Sequence, residues 1–146
     1  MNINVYVGRP GSRKTLTMLE NTLRRAGVHL IASPRNALID EQAGYLLARA
    51  EALGITPHIE PIHSDQARHK GNVARRIEEA LEVQTGASHA ILLVSHAALL
   101  DLNLAGEDSF PVAEALSAKG VRIVFCTGYD TDRLIQIGRA SCRERV

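Results

Sequence analysis

The sequence predicts an α/β fold in three layers, with helices flanking a mostly parallel sheet. Two observations predict it. Short β-branched runs alternate with apolar stripes at helical spacing from Ile3 to Tyr129, and such alternation favours parallel strands joined by right-handed crossovers. The composition, 45% apolar and 23% charged over 146 residues, is that of a globular chain of about one domain. Aromatic residues make up 3% and Trp is absent, so Leu, Ile, Val and Ala must fill the interior.

The elements follow in order. INVYV (Ile3–Val7) reads as a first strand that runs into a Gly-rich turn. Leu16, Leu19, Leu23 and Ala26 then recur at helical spacing, with Gly27 as the stop. VHLIAS (Val28–Ser33) is a second strand, ended by Pro34. Ile39, Ala43, Leu46, Leu47, Ala50 and Leu53 form the stripe of a long helix that closes at Gly54. HIEPIHS (His58–Ser64) is a third strand. Pro61 has no amide hydrogen to donate, which suits an edge position. Val73, Ile77, Ala80 and Leu81 mark the next helix, closed near Gly86, and HAILLVSH (His89–His96) is a buried strand. Ser109 caps a short helix with Pro111 in its first turn and Val112, Ala115 and Leu116 on its inner face. VRIVFCTGY (Val121–Tyr129) is the last strand.

Several function classes are disfavoured at this stage. A formal net charge of +1 offers no electrostatic case for nucleic acid or membranes. No apolar run approaches the roughly 20 residues that span a bilayer, and no signal-peptide pattern opens the chain. Cys126 and Cys142 make neither a disulfide framework nor a metal-ligand spacing, and the six histidines show no zinc-like pairing. A reducing cytoplasm is the expected setting. Arg75, Arg76, Glu78 and Glu79 read as a solvated helix face.

In parallel α/β sheets, ligands sit at the carboxyl ends of the strands, where the turn GRPGSRKT (8–15) falls. Gly8, Gly11, Lys14 and Thr15 satisfy G-x-x-x-x-G-K-[ST] at every fixed position except the Gly before Lys, which is Arg13. In the turn formed by Gly8, Pro10, Gly11, Ser12 and Arg13, the amides around Gly11 to Lys14, together with a helix N-terminus, would cradle phosphates. Lys14 would neutralise the β/γ charge, and the Thr15 hydroxyl would ligate Mg2+ through the bound nucleotide, ATP. A Gly before Lys lets the backbone approach the phosphates, whereas Arg13 puts a long side chain into the cradle. Weakened or absent ATP and Mg2+ binding is the expectation for the chain as written.

On these residues, 3–100 resemble the first RecA-like lobe of a DEAD/DEAH-type P-loop helicase of phage or plasmid kind. VYVGRPGSRKT resembles motif I, LIASPRNALIDEQAGYL the following strand–loop–helix segment, and IHSDQ and LLVSHAALL the later strand-end motifs. The resemblance implies an incomplete P-loop NTPase fold over 1–96, with nucleotide as partner and nucleic acid as a partner of the intact parent protein. His63 and His96 fall at strand ends where the family's motifs touch nucleic acid or couple the sites. The Asp-Glu box, the second lobe and its arginine finger have no counterpart, so no helicase activity is expected from this chain alone.

From Ala97 the resemblance changes. AALLDLNLAGEDSFPVAEALSAKGVRIVFCTGYD, within 97–136, is similar to the middle of a response-regulator receiver domain. That similarity implies Asp101 as phosphoacceptor, Thr127 as switch hydroxyl and Asn103 at the magnesium-binding loop. A receiver's acidic pair and its Lys strand have no counterpart, so Asp101 has no evident metal to assist it. The last ten residues, IGRASCRERV (137–146), match one frame of a translated sequencing adapter and are set aside as an artefactual or disordered tail. A junction of unrelated reads near Ala97–Asp101, giving a chimeric product without function, is a third reading.

Overall fold

The computed structural model describes residues 14–66, 72–100 and 116–126. Along them run α1 (Lys14–Arg24), β1 (Gly27–Ser33), α2 (Asn36–Leu53), β2 (His58–Ile62), α3 (Val73–Gln84), β3 (His89–Ser95), α4 (His96–Leu100) and β4 (Val121–Phe125). The predicted strand Ile3–Val7 and the capped start of the helix at Ser109 lie outside the described residues, although 116–118 are helical.

The four strands form one sheet in the order β2-β3-β1-β4, and every pairing is parallel. Register places Leu30 beside Leu92 and Ile31 beside Leu93, so the two sides of β1 and β3 face opposite layers. On one side Val28, Leu30, Ala32, Ala90, Leu92 and Val94 pack against Ile77, Ala80 and Leu81 of α3, Ala98 and Leu99 of α4, and Leu116. On the other, Ile31, Ile91 and Leu93 pack against Met18, Leu19 and Leu23 of α1 and Ile39, Ala43, Leu46 and Ala50 of α2. The result is the predicted three-layer α/β architecture.

The route is consistent with a single hand. From β1 the chain moves two places along the sheet through α2 on one face, then returns to β3 through α3 on the other. Reversing direction while changing face preserves the crossover hand, which parallel units keep right-handed. Pro61 sits in β2, an outer strand among the described residues, the kind of position that tolerates a missing donor.

Three expectations need correction. Leu16 and Ala26 are exposed; α1 buries Met18, Leu19, Thr22 and Leu23 and stops at Arg24, leaving Gly27 to begin β1. Leu47 is 55% exposed, because the stripe of α2 that meets the sheet runs through Ile39, Gln42, Ala43, Leu46 and Ala50. The third and fourth strands stop at Ile62 and Ser95, so His63 follows its strand and His96 opens a helix.

Candidate functional site

α1 runs antiparallel to the strands, and two sets of contacts establish this. At its last turn, His89 at the start of β3 donates Nε2–H to the Thr22 carbonyl at 2.8 Å, and His29 of β1 donates to the Arg25 carbonyl at 2.7 Å. Four residues into the helix, Met18 Sδ accepts from Cys126 Sγ at 3.3 Å, and Cys126 directly follows β4. The first residues of α1, half-buried Lys14 and exposed Thr15, therefore stand at the carboxyl edge of the sheet. There the leading amides of a helix have no intrahelical acceptor, and α1 carries no acidic residue in its first turn. Gly8, Pro10, Gly11, Ser12 and Arg13 lie outside the described residues, as do Asp101 and Thr127.

A buried polar chain lies beneath this edge. Ser33 Oγ, at the end of β1, donates to Gln42 Oε1 at 2.7 Å, and Gln42 Nε2 donates to Cys126 Sγ at 3.6 Å. Cys126 also continues the ladder, its amide donating to the Ala32 carbonyl at 2.8 Å. Burial pushes its thiol above the ordinary range, and the hydrogen bonds from Ser33 and Gln42 offset only part of that. A thiol so held is a packing and hydrogen-bonding group rather than a nucleophile.

The start of α2 is pinned to the end of β2 on the same edge. Asn36 Nδ2 donates to Ser64 Oγ at 3.2 Å, and His63 Nε2 meets Asp40 Oδ1 at 2.7 Å. His63 is 2% exposed, and its Nδ1 has no hydrogen-bond partner among the described residues. His96 Nε2 donates to the Ala32 carbonyl at 3.1 Å, while Ser95 Oγ accepts the Ala98 amide at 3.1 Å and caps α4. Between these ends lies a cleft of about 360 Å³ lined by Ser64, Asn72, Val73, Ser95 and Ala97.

Of the residues singled out from sequence, Lys14, Thr15, His63 and His96 thus share the carboxyl side of the sheet. The Ser33–Gln42–Cys126 chain was missed, and its only sequence signal is a polar residue between the core positions Ile39 and Ala43. Arg76 also departs from the solvated-face expectation. It pairs with Glu60, which is 8% exposed and also meets His58 Nε2 at 3.0 Å. Arg75 and Glu79 do form a surface i,i+4 pair at 3.0 Å.

Among the described residues no cluster of three or more His, Cys, Asp or Glu is placed to hold a metal ion. None of the described helices is long and apolar enough to cross a membrane. The chain matches no family profile, no curated protein and no solved structure.

Proposed function

We propose that the chain is a nucleotide-binding lobe of the P-loop ATPase type, related to helicases, in which Arg13 has weakened the phosphate cradle. One observation carries the reading: Lys14 and Thr15 open a helix whose N-terminus stands at the carboxyl edge of an all-parallel sheet. A G-x-x-x-x-G-K-[ST] turn needs that placement, because amides, helix dipole and Lys must converge on one anion. Lys14 binds the β/γ-phosphates, Thr15 ligates Mg2+ when the nucleotide brings it, and the amides of 11–14 line the cradle. In a complete helicase the neighbouring cleft beside Ser64 and Ser95 would face the nucleic acid.

Calorimetric titration of the whole chain with Mg-ATP tests this. The wild type is expected to remain unsaturated at millimolar nucleotide. Arg13→Gly is expected to tighten binding by about tenfold or more, roughly 1.4 kcal/mol, and Lys14→Ala added to it should remove the gain. An Arg13→Gly chain that ignores millimolar ATP overturns the assignment.

A further inference from the structure

Among the described residues, two enclosed side-chain polar atoms have no hydrogen-bond partner: His63 Nδ1 and Gln66 Oε1. Both belong to one turn. It follows β2 at the carboxyl edge of the sheet, and the Gln66 amide closes it by donating to the His63 carbonyl at 3.3 Å. Ser64, between them in the chain, lines the neighbouring cleft. Native proteins satisfy nearly all their buried polar groups, so two orphans in a single turn call for a cause.

The chemistry of the two atoms narrows that cause. Asp40 Oδ1 lies 2.7 Å from His63 Nε2, and a carboxylate can only accept, so Nε2 carries the ring hydrogen. In the neutral imidazole Nδ1 is then a bare lone pair, on a residue that is 2% exposed. Gln66 Oε1 is an acceptor as well. Two lone pairs cannot satisfy each other; a cation satisfies both, as does a group with two hydrogens to give. Asp40 favours the cation. A histidine that binds a metal through one nitrogen characteristically gives its other N–H to a carboxylate, which fixes the tautomer, orients the ring and raises its basicity. Asp40 does this from a separate element, the first turns of α2, and its side chain is 58% exposed.

We propose that His63 Nδ1 and Gln66 Oε1 are two ligands of a divalent transition-metal site, with Asp40 as the carboxylate behind the histidine. Imidazole nitrogen suits Zn2+, Co2+ and Ni2+, whereas Mg2+ and Ca2+ take oxygen donors and gain little from the ring. Two protein ligands leave coordination positions for water or for a donor atom of a bound molecule. The site uses neither Lys14 nor Thr15 and does not rest on the nucleotide-binding reading. Because His63 follows β2 and Asp40 belongs to α2, a bound metal also reinforces the pin between those elements.

Cobalt titration of the whole chain, stripped with chelator and free of nucleotide, tests the site at neutral pH. Co2+ is expected to give the visible absorption of a nitrogen- and oxygen-ligated ion without a near-ultraviolet thiolate band, and Zn2+ should displace it. Asp40→Asn should weaken Co2+ binding by about 10–100-fold. His63→Ala should abolish it, and Gln66→Ala should weaken it. No uptake at millimolar Co2+, a thiolate band that assigns the metal to a cysteine, or binding that survives His63→Ala overturns the proposal. Should His63→Ala fail to fold, the other two variants decide. Unchanged affinity in either Asp40→Asn or Gln66→Ala overturns the site, and weakened binding in both supports it.

Discussion

Ser33 and Gln42 show how much can rest on two buried polar side chains. Both are enclosed, and each satisfies the other at 2.7 Å while the Gln42 amide turns to the Cys126 sulfur. Ser33→Ala would strand the Gln42 carbonyl in an apolar setting, at a cost of about 1–3 kcal/mol. Urea unfolding should show that loss, and Ser33→Ala with Gln42→Leu should recover much of it, because removing both partners leaves nothing unpaired. Sequence pattern could not reveal the pair. A Gln beside a core stripe looks solvated until the helix rotation is known, and that rotation is set by contacts with Ile31 and Leu93. Lys14 and Thr15 were legible for the opposite reason: motif spacing is local, and local order places them on the first turn of a helix.

Two helix ends were readable, at Gly54 and near Gly86, whereas Gly27 opens β1 instead of closing α1. α2 stops where Gly54 adopts φ 69°, so that its amide reaches the Glu51 carbonyl and the Ile55 amide reaches that of Ala50. This reciprocal pair closes the last turn and requires a left-handed residue. Gly54→Ala is expected to lower stability by about 1 kcal/mol, read as a shift in denaturation midpoint at constant m-value. Pro61 was equally informative, since a missing amide hydrogen restricts where a strand can sit. Helix faces were less so. Leu16 and Leu19 are three apart and satisfy helical spacing, yet α1 turns Met18 and Thr22 inward instead of Leu16. Its partner in that choice is α2: Tyr45 Oη and Arg49 Nε both donate to Glu20 Oε1, at 2.8 and 2.5 Å, and fix the roll of one helix against the other. Arg49 first, then Tyr45, holds the Glu20 carboxyl below the ordinary range.

Across the molecule, the sheet separates two apolar layers that share strands but no helices. Leu46→Ala on the α2 side is expected to cost about 2–5 kcal/mol and Ile77→Val on the α3 side about 0.5–1.5 kcal/mol. The double variant should equal their sum within about 0.5 kcal/mol, as expected for sites without shared partners. One transition with coincident fluorescence and circular dichroism curves would show that both layers unfold together. The layered class was legible because alternation of strand and helix permits few arrangements. Strand order was not, since hydrophobicity reports burial on both faces and says nothing of which strand lies beside which. That order has a consequence for synthesis. β1, the strand between β3 and β4, is made before either of them, so it leaves the ribosome as an apolar ribbon with both edges open. At about 5–20 residues per second, seconds pass before β3 can cover one edge, and β4 comes later still. During that wait α1 and α2, both made before β3, can shield a face of β1.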